Sequence, residues 1–236
     1  MTANPLYLTR ARLRRDAPVA SLRALLVPDG EAARAAASHH LIWTLFGDST
    51  ERTRDFLWRE AGPGTFYTLS ERPPDDRHGF FEIDEPKVFA PRLAPGDRLA
   101  FSLRVNATVA RSAGPGERGK PCDVVMDALK SVPSGERASV RPAVLTEVAR
   151  KWLGARAERC GFVLSPAGGD GVRVSAYRVV RVHRGRGVKP LSIGVLDVEG
   201  VLEVCDPGVF IHSIAHGFGR SKAFGCGLML IRRAAG

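Results

Sequence analysis

The chain lacks several features that would assign it to a membrane, secreted or zinc-binding class. No apolar run approaches the roughly 20 residues of a transmembrane helix, and the opening residues lack a signal peptide's hydrophobic segment. The four cysteines form no C-x-x-C pair, which argues against a zinc site and favours buried, reduced thiols. We therefore expect a soluble, cytoplasmic protein with no metal or cofactor and no contact with a membrane.

Acidic residues are also few relative to basic ones. The 236 residues include 35 Lys and Arg against 25 Asp and Glu, a formal net charge of +10. Arginine binds phosphate through two parallel hydrogen bonds and stacks on bases. A GC-rich genome would explain arginine in place of lysine, but it would not explain the surplus of ten. The composition therefore indicates a polyanionic partner.

A glycine-rich loop, Gly217–Leu228, contains four glycines, two cations and no acid. Glycine permits positive φ and lets another molecule approach bare backbone amides, which together bind anions. The loop is not a Walker loop, because no Gly-Lys-Ser/Thr ends it, and a strand rather than a helix follows, unlike a dinucleotide fingerprint. A loop that only reverses the chain is the alternative. The residues expected to bind the polyanion are Gly217, Gly219, Arg220, Lys222, Gly225 and Gly227.

A basic hairpin, Val172–Pro190, is the second cationic feature and contains no acid. Its strands are expected to meet at a tip over residues 183–187, from which the hairpin would follow the phosphates of a structured RNA. A solvated charged face is the alternative, although like charges repel across strands unless a polyanion is present. The cations are Arg173, Arg178, Arg181, Arg184, Arg186 and Lys189.

Hydrophobic periodicity predicts a mixture of helices and strands. In the first half we expect strands at Tyr7–Leu13, Phe56–Trp58, Thr65–Leu69 and Leu99–Val105, with a helix at Glu31–Phe46. After a break at Ala113–Pro121 we expect helices at Val124–Leu129 and Thr146–Cys160, strands at Val172–Arg184 and Ile193–Val204, a helix capped by Asp206, and a final strand from Leu228. The first half indicates a ferredoxin-like module.

The helix at Glu31–Phe46 carries adjacent histidines. At about 100° per residue, its core face contains Ser38, Leu41, Ile42 and Leu45. His40 points away from that face, whereas His39 lies at its edge, where packing would hold the ring and leave one nitrogen free for proton transfer. Helix geometry alone leaves open a surface histidine with no task.

Together these segments resemble the CasE (Cse3) endoribonucleases, which process CRISPR RNA in type I-E Cascade. The resemblance is strongest from Val198 to Pro207 and through the glycine-rich loop, with weaker similarity at Tyr7–Arg10, Leu103–Asn106 and His39–Phe46. It implies an α+β fold of two tandem ferredoxin-like (RRM-like) modules, placed here at residues 1–110 and 111–236. It also implies metal-independent cleavage of a CRISPR repeat stem-loop at the stem base by 2′-OH attack, which yields mature guide RNA.

The resemblance further implies that His39 is catalytic, that Arg104 in the central strand binds RNA, and that Cascade-type subunits are partners. Some family members have a Tyr three residues before this histidine and a Lys five after it; here those positions are Ala36 and Thr44. The candidates to replace them are Ser38, His40, Lys120 and Lys222, with the two lysines first because of their charge.

Two other functions remain open. The first is a non-catalytic RNA-binding module of RRM-like fold, which would use the same basic hairpin and glycine-rich loop. The second is a metal-dependent nuclease, which needs a cluster of carboxylates. The paired acids Asp75-Asp76 and Asp84-Glu85 lie in turn-like, proline-flanked segments and are expected to be solvated.

Overall fold

The computed structural model describes residues 5–47, 53–112, 114, 117, 119–166, 171–182 and 190–234. Its strands are β1 (Tyr7–Leu13), β2 (Phe56–Gly62), β3 (Thr65–Ser70), β4 (Phe81–Ile83), β5 (Lys87–Val88), β6 (Arg98–Val105), β7 (Thr108–Arg111), β8 (Lys120–Asp123), β9 (Phe162–Leu164), β10 (Arg173–Val182), β11 (Leu191–Val204) and β12 (Met229–Arg233). Its helices are α1 (Ala17–Ala20), α2 (Arg23–Leu26), α3 (Glu31–Thr44), α4 (Val124–Ala128), α5 (Arg137–Ala157) and α6 (Pro207–His216).

The chain divides into two compact units. The first unit comprises Met1–Arg92, Val180–Ser192 and Ser221–Leu228. Its antiparallel sheet has the order β2-β3-β1-β4, with β5 also paired to β1. The buried face of α3 packs on this sheet in one apolar core. The strand order is that of a ferredoxin-like module, as predicted.

The second unit comprises Leu93–Val179, Ile193–Arg220 and Met229–Gly236. Its antiparallel sheet has the order β10-β11-β6-β12, with β9 also paired to β11. Helix α5 lies between β6 and β10 in the chain, and α6 lies between β11 and β12. The sheet therefore follows a β-α-β-β-α-β plan, and the predicted tandem ferredoxin-like fold is confirmed.

Strand β6 belongs to a different unit from the one that we predicted. We placed it in a first module ending at residue 110, but it pairs with β11 and β12 in the second sheet. The alternation was correct, since Leu99, Phe101, Leu103 and Val105 are all buried. Alternation identifies a buried face but not the sheet that buries it. The expected break at Ala113–Pro121 instead falls within a hairpin, because β7 pairs with β8.

Two helices show how local chemistry sets helix ends. The Asp206 carboxylate accepts a hydrogen bond from the Val209 N–H at 3.0 Å and caps α6, as predicted. Helix α5 begins at Arg137, nine residues before the predicted start at Thr146, and contains Pro142 near its N-terminus. A proline in a helix interior removes one backbone hydrogen bond, which favours a helix start after Pro142. The helix nevertheless continues through this residue.

Two expectations from composition can be compared with the structure. No helix in the described part of the chain is long and apolar enough to cross a membrane. All four cysteines are free thiols, but the expectation that they are buried holds only for Cys226; Cys122 and Cys160 are half-buried and Cys205 is exposed.

Candidate active site

The packing of α3 places its two histidines as predicted. The core-face residues Ser38, Leu41, Ile42 and Leu45 are all buried, whereas His40 is exposed and His39 is half-buried. The His39 ring lies 6.4 Å from the Trp43 ring and 5.5 Å from the Phe224 ring, measured between centroids. These neighbours hold the imidazole at the edge of the core.

One hydrogen bond shows which nitrogen of the His39 ring carries a proton. Its Nδ1 donates to the backbone carbonyl of Ala223 at 2.8 Å. Because a carbonyl oxygen only accepts, Nδ1 must carry a proton. In the neutral ring Nε2 is then unprotonated and available to accept a proton.

The pKa of His39 is lowered from its ordinary value. Burial is the main cause, because it penalises the charged ring, and the charges of His40 and Arg54 act in the same direction. The hydrogen bond to Ala223 acts in the opposite direction but does not outweigh them. At neutral pH the ring is therefore mainly neutral.

The glycine-rich loop supplies the Ala223 carbonyl through a short 3₁₀ turn, Lys222–Phe224. The turn is preceded by Ser221 at φ 57° and followed by Gly225 at φ 73°, both in the left-handed region. Gly225 is buried, and a Cβ there would lie 3.0 Å from the Trp58 ring on β2. Close packing of the loop on Trp58 thus holds the turn beside His39.

Lys222 is adjacent to Ala223, in the unit that contains His39. Burial lowers its pKa, and the charge of Arg54 lowers it further. Lys120, the other predicted lysine, is exposed on β8 opposite Arg111 in the second unit. Among the lysines predicted to be catalytic, the structure therefore brings Lys222 to His39.

The remaining candidates from the sequence have other surroundings. Ser38 is 3% exposed in the core of the first unit. His40 lies on the solvent side of α3, although its ring centroid is 5.3 Å from that of His39. Thr44, at the position of the family lysine, donates its hydroxyl to the Leu41 carbonyl within α3 at 2.7 Å. None of these three adds a cation to the described surroundings of His39 beyond the imidazole of His40.

Sequence reasoning missed Arg54. This residue lies two positions before β2, in no recognisable motif and 15 positions from His39. Its charge nevertheless acts on both His39 and Lys222. No local pattern could have identified it, because the fold alone brings the start of β2 to α3 and the glycine-rich loop.

The glycines of the loop are required by the fold itself. A Cβ on Gly219 would lie 2.6 Å from Val105 and 2.8 Å from the Asn106 carbonyl, and Gly217 and Gly227 have positive φ values. The loop also packs apolar surface inside the protein, because it buries Phe218, Cys226 and Leu228. RNA contacts by the four glycines, and by the exposed Arg220, stay a prediction.

Arg104 and Arg178, both predicted to bind RNA, share one carboxylate in the second unit. Arg104 Nε lies 2.7 Å from Asp197 Oδ1, and Arg178 Nη1 lies 2.9 Å from Asp197 Oδ2. Burial alone would raise the pKa of Asp197, but the two arginines outweigh it and lower the pKa. The three groups together carry one net positive charge, so less positive charge is available for phosphate than two unpaired arginines would offer. RNA contacts by these arginines stay a prediction.

The rest of the basic hairpin is partly described. Strands β10 and β11 are neighbours in the second sheet, as a hairpin requires. Arg181 is exposed near the end of β10, and Arg173 lies 3.9 Å from Glu199. The predicted tip and the residues Arg184, Arg186 and Lys189 lie outside the described residues.

Two of the acids weighed for a metal-dependent nuclease, Asp76 and Asp84, have structural partners. The Asp76 carboxylate accepts hydrogen bonds from the backbone of Phe80 and Phe81. Asp84 pairs with Arg10 and Arg12 on β1. In the described ranges, no group of three His, Cys, Asp or Glu side chains is placed to hold a metal ion.

Comparison with known proteins relates the chain to CRISPR-associated proteins. A family model described as "CRISPR associated protein" matches residues 6–233. The CRISPR-associated endoribonuclease Cse3 of Thermus thermophilus is 33% identical over 158 residues, which are 65% of this chain and 64% of that protein. The aligned region thus spans less than two thirds of that relative.

Solved structures cover nearly the whole chain. A Cse3 endoribonuclease bound to a 19-nucleotide RNA is 26% identical with a TM-score of 0.68, covering 97% of this chain and 98% of that one. Thermus thermophilus Cse3 bound to an RNA representing a pre-cleavage complex is 25% identical with a TM-score of 0.66, covering 97% and 99%.

Proposed function

Because this chain belongs to the CRISPR-associated protein family that includes Cse3, we propose that it is an endoribonuclease that processes CRISPR RNA. It binds the repeat stem-loop of the precursor and cleaves at the stem base without a metal, which yields mature guide RNA. It does so in the cytoplasm, as a subunit of a Cascade-type complex. The observation that carries the catalytic part is the hydrogen bond from His39 Nδ1 to the Ala223 carbonyl.

His39 acts as the general base. Its Nε2 takes the proton of the 2′-OH beside the scissile phosphate, and the 2′-oxygen forms a bond to phosphorus. The bond from phosphorus to the 5′-oxygen breaks, so the products end in a 2′,3′-cyclic phosphate and a 5′-OH. The lowered pKa of His39 favours this role over that of an acid, because the neutral ring predominates at neutral pH.

Lys222 acts on the phosphate and on the leaving group. Its ammonium stabilises the charge that develops on the phosphate oxygens, and it supplies a proton to the departing 5′-oxygen. A lowered pKa makes an ammonium group a better proton donor at neutral pH, and both burial and Arg54 lower the pKa of Lys222. Lys222 thereby replaces the cation that Thr44 does not provide.

RNA binding uses the surplus of basic residues. We assign the phosphates of the stem to the basic hairpin, whose exposed arginines among the described residues are Arg173 and Arg181. The net charge of +10 supports a backbone-directed mode, in which the shape of an RNA helix is recognised more than its bases.

The test is incubation of the purified protein with the cognate repeat stem-loop RNA in EDTA. We expect cleavage in EDTA, and we expect His39→Ala to slow it by about 10²–10⁴-fold, the usual effect of removing a positioned base, with little change in RNA affinity. His40→Ala is the matched control, because His40 is exposed on the same helix.

Each alternative has its own outcome in this assay. Binding without cleavage would indicate the RNA-binding module, which the departures at Ala36 and Thr44 leave as the second candidate. Cleavage restored only by added Mg²⁺ or Mn²⁺ would indicate a metal-dependent nuclease. Loss of cleavage in His40→Ala with retention in His39→Ala would refute the assignment of the base.

A further inference from the structure

The start of β2, two residues after Arg54, is held against α3 by aromatic packing. The ring of Phe56, the first residue of β2, lies 5.2 Å from the ring of Trp43 at the end of α3 and 4.2 Å from the ring of Phe46 just after that helix. Trp43 is one helical turn after His39. Phe56 is therefore fixed against the end of α3, one helical turn beyond His39, and Arg54 lies two residues before it in the chain.

The same strand also contacts the glycine-rich loop. The Trp58 ring of β2 packs against Gly225, directly after the turn that contains Lys222. Three separate segments of the first unit thus meet at this point: α3 with His39, the start of β2 with Arg54, and the turn with Lys222. Each contributes one nitrogen-containing side chain.

The electrostatic effects agree with this placement. The charge of Arg54 lowers the pKa of His39 and also that of Lys222, although burial is the larger cause for each. The Arg54 side chain retains access to solvent, but its guanidinium is partly desolvated, which lowers its own pKa as well. One guanidinium therefore acts on both groups.

No described carboxylate acts on the pKa of the His39 ring. The charged groups that act on its ring are His40 and Arg54. The neighbouring acid, Asp55, is engaged by Arg72 through a 2.8 Å ion pair. Among the described residues no acid forms an ion pair with Arg54. Cations that repel one another at a partly buried site are stabilised when an anion binds between them.

We propose that Arg54 and Lys222 form an anion-binding site beside His39, and that this site holds the scissile phosphate of the RNA. The assignment of the anion rests on the proposed function. The planar guanidinium of arginine donates two parallel hydrogen bonds to the oxygens of a phosphate, so Arg54 would hold the group that reacts while Lys222 neutralises the charge that develops on it. In this chain the cations of the site come from the segment just before β2 and from the glycine-rich loop, and not from α3, where Thr44 replaces the family lysine.

The first experiment uses inorganic sulfate as the probe and does not depend on RNA cleavage. The imidazole signals of His39, assigned by comparison with His39→Ala, are followed by NMR during a sulfate titration of the full chain. We expect a saturable shift of these signals in the parent. In Arg54→Gln we expect sulfate to bind at least about tenfold more weakly, because that is the loss of affinity caused by removing one hydrogen bond to a charged group. Arg54→Lys should restore part of the affinity, since it keeps the charge but not the planar fork.

The second experiment measures single-turnover cleavage at saturating repeat RNA. Loss of one donor to a reacting group costs about 10²–10³-fold in rate, so we expect Arg54→Gln to cleave about 10²-fold more slowly. Arg15→Gln, which removes an exposed arginine elsewhere in the first unit, should behave like the parent. In Arg54→Gln the pKa of His39 should also rise, because a positive neighbour is removed.

The outcomes separate this inference from the proposed function. A parent that shows no saturable sulfate effect, or an Arg54→Gln variant that matches the parent in sulfate binding, would overturn the anion site. Sulfate binding that depends on Arg54, in a protein that does not cleave repeat RNA, would support the site and refute the proposed function. Cleavage by Arg54→Gln within twofold of the parent would overturn the assignment of the scissile phosphate to Arg54.

Discussion

Replacing Gly225 with alanine tests how the turn Lys222–Phe224 is held beside His39. Two effects add. Gly225 has φ 73°, a conformation that costs a residue with a Cβ about 1–2 kcal/mol. The new methyl group would also lie 3.0, 3.2 and 3.3 Å from three Trp58 ring atoms, and overpacking of this kind costs about 1–3 kcal/mol. We therefore expect a loss of about 2–5 kcal/mol in the free energy of unfolding.

Gly79 provides the matched control for this measurement. It belongs to the same unit and has φ 68°, but a Cβ there would meet nothing within 4 Å. Gly79→Ala should therefore show the conformational cost alone, and the difference between the two variants isolates the packing on Trp58. For a chain of this length about 2–4 °C of melting temperature is lost per kcal/mol.

The assay is thermal melting and urea unfolding, followed by circular dichroism, together with RNA cleavage below the melting transition. We expect Gly225→Ala to melt lower than Gly79→Ala and to cleave more slowly even where it is folded, because the Ala223 carbonyl would shift from His39. A Gly225→Ala protein as stable as Gly79→Ala would refute the argument that Trp58 holds the turn.

Two further predictions concern proton transfer and charge. In the proposed mechanism the base form of His39 is the active one, so the logarithm of the cleavage rate should rise with slope 1 up to a pKa below the ordinary histidine value of 6.5 and then level off; a rise that continues above pH 6.5 would contradict the direction of the shift. Arg181→Gln should flatten the slope of log K against log salt by about 0.7–0.9, measured by RNA binding, whereas an unchanged slope, like that expected for Arg15→Gln, would mean that Arg181 contacts no phosphate.

The sequence was most informative where physical periodicity decides the outcome. The 3.6-residue period of α3 separated His39 from His40 and identified a core face that the structure buries. Cap chemistry located the start of α6 at Asp206 and Pro207. These are local effects, which depend on residues within a few positions of one another.

The long-range features were not accessible in the same way. The pairing of β6 with β11 joins residues more than 90 positions apart, so alternation alone could not place β6 in the second sheet. The ranking of Lys120 beside Lys222 used charge, which does not report position. Arg54 carries no local signal, and its proposed role depends on the packing of Phe56 at the end of α3.

The glycine-rich loop shows a limit of a different kind. The sequence correctly singled out Gly217–Leu228, but a cluster of glycines is consistent both with a bound ligand and with close packing inside the protein. The structure shows the second explicitly at Gly219 and Gly225, where a Cβ would enter occupied space. Glycine identity alone cannot distinguish these two causes.

The most direct measurement of the central claim uses a repeat stem-loop RNA with one 2′-deoxy nucleotide on the 5′ side of the cleaved bond. If the 2′-oxygen is the nucleophile that His39 deprotonates, this substrate should bind with unchanged affinity and remain uncut in EDTA, while the all-ribose substrate yields a 2′,3′-cyclic phosphate end. Cleavage of the deoxy substrate at the rate of the ribose substrate would contradict the account.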